Sequence, residues 1–318
     1  MKKNIALIYG GNSSEWQISI QSGKFVASHI DRSRYNVYEV LLRGASWSVE
    51  GTEIDKTDFS VTIGGERIRF DAAFILIHGT PGENGLLQGY LEMLGIPFNT
   101  CSAFVSALTF DKHSCKRFLD FAGVKMAKDL FIRRGSGYSP AEITRELGLP
   151  LFVKPSSGGS SFGVTKVKHE AELEKAMEEA FRECDSVLVE EAVSGREVTN
   201  GIYREKSRLV ALPVTEIITE REFFDYDAKY LGQSNEVCPA QIPDSLSEKV
   251  RRMTAFIYEY FGCKGLVRID YMIKGEEIYF LEINTVPGMT PMSLVPGQVR
   301  AAGIEMQHFF TTLIEESF

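Results

Sequence analysis

Arg268, Asp270, Glu282 and Asn284 are the residues of this 318-residue chain whose types and spacing point most directly to chemistry. The run Ile278 to Ile283 alternates and is rich in β-formers, which predicts a strand. Strand residues two apart share a face, so Glu282 and Asn284 point the same way. Arg268 and Asp270 repeat that spacing on the preceding run, Gly265 to Ile273. The connector Lys274-Gly-Glu276 is short enough for a hairpin. Paired, the two strands set Asp270, Glu282 and Asn284 side by side with Arg268 at the edge. Hard oxygen donors beside a permanent cation suit Mg²⁺, whose shell is completed by water and nucleotide phosphates. A solvated hairpin face is the plain alternative. It would not ordinarily match a cation to three oxygen donors just before a Pro-Gly turn.

Other residues extend this chemistry. Lys154 is followed by a run of small residues, 155–163, between two apolar β runs. Such a loop can fold over polyphosphate through its backbone N–H groups, with Lys154 adding charge. It lacks the GxxxxGK[ST] pattern, and a solvated linker stays open as the other reading. Gly10-Gly11 reads as a tight turn or as a weak dinucleotide turn, since GxGxxG is absent. Glu15 either complements a helix dipole or binds a substrate ammonium at the carboxyl end of a sheet. His78 ends a buried run before a glycine-containing loop, a position that favours a ligand crevice. Asp111-Lys112 reads most simply as a solvated charge pair inside a helix. Residues 225–230, with two tyrosines and a lysine, favour a lid within the unpatterned stretch 220–239.

The net charge is −8, with 44 % apolar and 25 % charged residues, the balance of an ordinary soluble globular chain. Nucleic acid is a poor partner for an acidic chain, because its phosphates need a basic surface. Lysines and arginines inside the motifs still suit a small anionic ligand. No apolar run reaches the ~18–20 residues of a membrane helix. The first residues run straight into a predicted strand without a small-residue cleavage site and read as mature sequence. Five widely spaced cysteines without CxxC read as reduced thiols of a cytoplasmic protein, with neither a zinc site nor a disulfide framework.

These residues need a scaffold. Residues 3–9 predict a strand, Ile18 to Ile30 a helix, Tyr35 to Leu42 a strand, Asp71 to His78 a strand buried on both faces, and Leu86 to Leu94 a helix ended by Gly95. That order makes residues 1–100 a doubly wound α/β domain. Residues 102–122 predict one helix and Lys125 to Ile132 a strand. Ser139 to Leu147 predicts a helix, Leu151 to Lys154 and Val164 to Val167 strands, Glu170 to Arg182 a helix, and Ser186 to Glu191 a strand closing a second unit, 101–190. Residues 191–318 turn β-rich, with strands over Glu197 to Tyr203 and Arg208 to Ile218. The 220–239 stretch, a helix over Ser245 to Phe261, the hairpin, and a helix over Gly303 to Glu316 follow. The fold class expected is mixed α/β and α+β.

With these motifs in order, the chain resembles the D-alanine–D-alanine ligase family of the ATP-grasp superfamily, over nearly its whole length. The resemblance rests on 10–15 with Ile18-Ser19, 78–85 with Gln88-Gly89, Asp111-Lys112, and Lys154-Pro155 with 159–163. It continues through 224–230, Arg268-Ile-Asp270, 281–290 and Ser293-Leu294. It implies an ATP-grasp fold behind the N-terminal domain, with the glycine-rich loop in 101–190 and the lid and metal site in 191–318. It implies that ATP, with two Mg²⁺ or alternatively Mn²⁺, drives joining of two D-alanine molecules through an acyl phosphate, for peptidoglycan precursors. Lys112 and Lys154 then match phosphate-contacting lysines, with Ser160, Ser161 and Lys229 also at the nucleotide. Glu190 and Glu197 match adenine- and ribose-contacting glutamates, with Val193 in the adenine pocket. Asp270, Glu282 and Asn284 match the metal ligands. Glu15 matches the carboxylate holding the first D-alanine's ammonium, with His78 in the same crevice. Ser293 and the Leu294 N–H match the binder of the second D-alanine's carboxylate, Arg268 and the Gly288 N–H the oxyanion site. Ser160 and Tyr230 match the pair linking the glycine-rich loop to the lid. Glu191 stands where lysine is frequent, and Asn84 where aspartate is. The resemblance also implies a cytoplasmic homodimer that binds neither nucleic acid nor membrane.

Rival readings are a D-alanine–D-lactate ligase, a catalytically inactive nucleotide-binding protein and, more distantly, an NAD-dependent oxidoreductase resting on Gly10-Gly11 alone. Tyr230 stands where similar lactate-using enzymes tend to lack tyrosine, which favours the dipeptide.

Overall fold

The computed structural model describes residues 2–159, 162–219 and 234–318. Its first strand, β1 (Lys3–Gly10), is buried through its centre, as its apolar run requires. A glycine turn leads to α1 (Trp16–His29), and then to β2 (Tyr35–Arg43), β3 (Ser46–Val49) and β4 (Thr52–Glu53). A hairpin of β5 (Ser60–Ile63) and β6 (Glu66–Arg69) precedes β7 (Ala72–Ile75) and α2 (Leu86–Leu94). The sheet order is β4-β3-β2-β1-β7, with β1 parallel to both β2 and β7. Connections leave β1 in opposite directions along the sheet, so its carboxyl end is a switch point where a crevice opens. Glu15 and His78 both follow strands at that end. The strand expected over Asp71 to His78 is laddered only over Ala72–Ile75, yet Leu76, Ile77 and His78 stay buried.

The expected single helix over 102–122 is two helices, α3 (Ala103–Phe110) and α4 (Lys112–Asp120). Asp111 breaks it with extended backbone, φ −85° and ψ 107°, and caps α4 by accepting from Ser114 N at 2.8 Å. β8 (Asp129–Arg133) begins later than expected, and α5 (Pro140–Leu147) is capped by Ser139. β9 (Leu151–Pro155), β10 (Thr165–Val167), α6 (Leu173–Glu183) and β11 (Ser186–Glu191) complete an antiparallel sheet of order β10-β9-β11-β8.

The third sheet is built from β12 (Arg196–Glu205), β13 (Arg208–Ala211), β14 (Thr215–Thr219) and β15 (Ser234–Val237), with β16 (Val267–Lys274) and β17 (Glu277–Asn284) beyond α7 (Asp244–Phe261). The run Arg208 to Ile218 is two strands, because Pro213 has no N–H for a ladder and Leu212 N turns to Gly201 O at 2.8 Å. Part of the stretch expected to lack structure is β15, antiparallel to β14; residues 220–233 lie outside the described residues. The closing helix is preceded by α8 (Leu294–Ala301), unanticipated because it contains Pro296 and Gly297; α9 (Met306–Glu315) follows. Phe309, Phe310 and Leu313 of α9 share a core with Ile5, Leu7 and Phe74 of the first sheet.

Candidate active site

Two adjoining cavities meet at Lys112, Gly158, Gly159 and Glu282. Glu15, His78, Glu83, Arg268, Asn284, Gly288, Ser293 and Leu294 line the first. Lys154, Phe152, Glu190, Val193, Glu197, Asp270, Met272 and Leu281 line the second.

In the first cavity, Gly11 has φ +93°, and a Cβ there would lie 2.4 Å from Ile77 Cγ2, so the turn after β1 needs glycine. The chain then enters α1 with Glu15 at its N-cap, buried at 6 % exposure. A Cβ added to Gly159 would fall 2.6 Å from Glu15 Oε2. The carboxylate and the small-residue loop therefore approach each other as closely as glycine permits. His78 Nδ1 lies 2.8 Å from Val286 O and its Nε2 3.2 Å from Ser22 Oγ. Burial pushes His78 below its ordinary value although the Glu15 charge opposes this. A neutral ring with the proton on Nδ1 fits, and it ties the end of the first sheet to the turn after β17. Glu83 accepts from Gly79 N at 2.7 Å and Val286 N at 3.2 Å. Burial, then the nearby Glu15 charge, pushes Glu83 up to about 7 against those bonds. Ser293 Oγ accepts from Thr290 N at 2.9 Å and lies where a Cβ on Gly288 would come within 3.0 Å.

The second cavity is organised by ion pairs. Asp111 accepts from Ser156 Oγ at 2.7 Å and Ser157 Oγ at 3.0 Å. Lys112 N donates to Ser156 O at 2.7 Å and Lys112 Nζ to Gly158 O at 2.8 Å. The pair read as solvated is thus the junction holding the small-residue loop, whose partners lie about one subdomain away in sequence. Lys154 Nζ is 2.5 Å from Glu190 Oε2, and Lys116 Nζ is 2.5 Å from Glu190 Oε1. Burial would raise the Glu190 carboxyl; Lys154 and Lys116 overcome it and hold the group down at about 2. Glu191, also at the second cavity, accepts from Lys128 N at 3.0 Å.

The hairpin forms the wall common to both cavities. Arg268 pairs with Asn284 and Asp270 with Glu282 across β16 and β17, and a bulge follows Asp270. Leu281 is the extra residue there, so Leu281 and Glu282, which an unbroken strand would turn to opposite faces, both line the second cavity. Arg268 donates to both Asp270 oxygens, at 2.9 and 2.7 Å, and Asn284 Nδ2 to Oδ2 at 3.1 Å. Among the described residues no three His, Cys, Asp or Glu side chains gather into a metal-holding group. The donor set here is two carboxylates and an amide, hard oxygens that suit Mg²⁺ shared with a phosphate ligand.

Ser160, Ser161, Lys229 and Tyr230 lie outside the described residues. Sequence reading passed over Glu83, Lys116 and Asp129. Glu83 carried a signal, an acid flanked by glycines after a buried strand. The others depend on partners far along the chain.

A family model described as "D-ala D-ala ligase N-terminus" matches residues 4–101, and "D-ala D-ala ligase C-terminus" matches 119–315. A D-alanine–D-alanine ligase of Phocaeicola vulgatus is 47 % identical, with 100 % of each chain covered. The VanG D-Ala:D-Ser ligase of Enterococcus faecalis superposes with TM-score 0.89 at 30 % identity, covering 100 % of both chains. A D-alanine–D-alanine ligase of Bacillus anthracis complexed with ATP gives TM-score 0.81 at 30 % identity, covering 99 % of this chain and 97 % of that one.

Proposed function

This chain belongs to the D-alanine–D-alanine ligase family, and from that premise we propose that it spends ATP to join two D-alanine molecules into D-alanyl-D-alanine. The observation that carries the reading is the shared hairpin wall. Asp270 and Glu282 face each other in register, between a cavity walled by Phe152, Met272 and Leu281 and one holding Glu15 and Arg268.

A carboxylate does not acylate an amine in water, because its oxygen is a poor leaving group. In the proposed reaction, a carboxylate oxygen of the first D-alanine attacks the γ-phosphorus. The bond from that phosphorus to the bridging oxygen breaks, and ADP leaves. The free amine of the second D-alanine then attacks the acyl carbon. The tetrahedral intermediate expels inorganic phosphate, and the amine proton is lost to solvent or a nearby base. Steps of this kind need positioning and charge neutralisation above all.

Lys112 and Lys154 face the phosphates in this reading, Glu190, Val193 and Glu197 the nucleoside. Glu15 holds the first ammonium, supported by the His78 tie. Ser293 and the Leu294 N–H receive the second carboxylate, and Arg268 with the Gly288 N–H meets the developing oxyanion. Asp270, Glu282 and Asn284 would hold Mg²⁺, which when bound supplies positive charge at the phosphate oxygens. The resemblance further implies closure of the 220–239 segment through Tyr230 and Ser160, which lie outside the described residues, to keep water from the acyl phosphate. Peptidoglycan precursor supply, a cytoplasmic location and a homodimer follow as proposals from the family. No helix among the described residues is long and apolar enough to cross a membrane.

The test is D-alanine-dependent ADP release with mass detection of the dipeptide. D-lactate in competition distinguishes the depsipeptide alternative, which the curated relatives do not favour.

A further inference from the structure

Glu190 and Asp129 sit directly opposite each other on the antiparallel strands β11 and β8. Like charges in that relation repel. Lys116 resolves the conflict. It is a lysine at 3 % exposure, delivered by α4 one turn beyond Lys112 and on the same helix face. Its Nζ is 2.5 Å from Glu190 Oε1, 2.9 Å from Asp129 Oδ1 and 2.9 Å from Ala127 O. Its three donors are thereby used. Arg117 covers the outer side of Asp129 at 2.6 Å. Lys116 does not line either cavity, whereas Glu190 and Lys154 do.

We propose that Lys116 is a positioning residue for the nucleotide: by serving as the permanent counter-charge of Glu190, it leaves Lys154 able to turn its charge to phosphate. The inference rests on the nucleotide reading of the second cavity. Within this bonded cluster of described residues, Lys116, Lys154 and Arg117 face Glu190 and Asp129, which leaves positive charge over. Without Lys116 that surplus vanishes. Lys154, at 2.5 Å from Glu190 Oε2, becomes the sole cation of this cluster bonded to Glu190, while Arg117 stays with Asp129. Turning Lys154 toward phosphate would then strand the Glu190 carboxylate, which a low-dielectric site penalises heavily.

The experiment is calorimetric titration of the full-length protein and of Lys116→Met with adenosine, ADP and ATP, with thermal melts in parallel. The expected result is selective. ATP affinity falls about 10- to 100-fold, the scale of a lost charge-assisted bond. Adenosine affinity changes by less than about threefold, because Glu190 stays in place on Lys154 and the apolar walls are untouched. In a Glu190→Gln background the same substitution has little further effect on ATP, because a neutral amide at that position needs no counter-charge. That double variant removes one charge of each sign, so it keeps the test in force if Lys116→Met alone fails to fold. Equal weakening of adenosine and ATP would assign Lys116 a merely structural role and overturn the proposal. So would a large further loss of ATP affinity in the Glu190→Gln background. Failure of the unaltered protein to bind ATP at all would instead overturn the nucleotide reading, and the inference with it.

Discussion

The two cavities hold their carboxylates by different means. In the second cavity, proposed for nucleotide, Glu190 is clamped between Lys116 and Lys154 and held down at about 2. In the first cavity, proposed for the amino acids, Glu83 is satisfied by backbone N–H groups and lies near Glu15, with burial carrying it up to about 7. One half therefore keeps a fixed charge through the physiological range. The other contains a group whose charge changes near neutrality. A polyphosphate stays strongly anionic through the working range, although its terminal group loses a last proton at about pH 6, and a receptor of fixed sign suits it. An amino-acid site where an ammonium must become an amine faces a proton balance, and there a titrating neighbour has consequences.

The hairpin belongs to both halves, so breaking it should erase the contrast. Glu282→Gln is expected to lower turnover by about 10³-fold at saturating substrates, the scale of several kcal/mol of lost charge stabilisation. Circular dichroism and melting should stay near those of the unaltered protein. Near-normal turnover would refute the assignment of Glu282. Arg268→Met probes the amino-acid half and Asp270 together, since Arg268 donates to both Asp270 oxygens. Steady-state kinetics should record about a 10²- to 10³-fold drop in kcat, the cost of one oxyanion donor.

Lys154→Met should act on one side only. The KM for ATP is expected to rise about 10- to 100-fold, while the KM for D-alanine stays within about threefold. A comparable rise in both would mean that the cavities are not functionally separate.

The smallest effect sharpens the contrast through pH. Glu83 faces Glu15 and, more distantly, Arg268, with His78 alongside in the same cavity. Its folded value is raised, so its favourable contribution is complete below the ordinary carboxylate value of 4.5 and is lost as pH rises through about 7. Urea melts of the unaltered protein against Glu83→Gln should therefore diverge across that window, by at most about 3 kcal/mol, and run parallel above it. Glu190 has the opposite sign. Its contribution is present above 4.5 and disappears only as pH falls toward about 2. Glu190→Gln should accordingly give a pH-independent offset between pH 5 and 9. A stability difference for Glu190→Gln that titrates near pH 7 would dissolve the distinction.

The hairpin was legible because a period of two and a short connector determine which side chains share a face. Glu282 and Asn284 needed no distant information. β1, α1, β2 and α2 were legible for a similar reason, since buried runs and glycine turns mark them, whereas the short, half-exposed strands β3 to β6 carry no such pattern and went unread. What else escaped depends on partners far away in the chain. Asp111, where the helix breaks, also accepts from serines 45 and 46 residues on, and nothing local announces that role. The carboxylate that explains Lys116 is 74 residues away. The bulge at Leu281 exists only in the pairing of β16 with β17, and no local pattern announces it. α8 was hidden by Pro296 and Gly297, which are poor helix residues in isolation and are tolerated in a helix mostly buried by its neighbours.

The most direct test of the account is to incubate the purified chain with ATP, Mg²⁺ and D-alanine, following ADP release while mass spectrometry reads the product. The account predicts ADP, phosphate and D-alanyl-D-alanine in equal amounts, and no comparable ADP release when D-alanine is omitted. ADP release indifferent to D-alanine, or D-alanine-dependent release with no dipeptide formed, would contradict it.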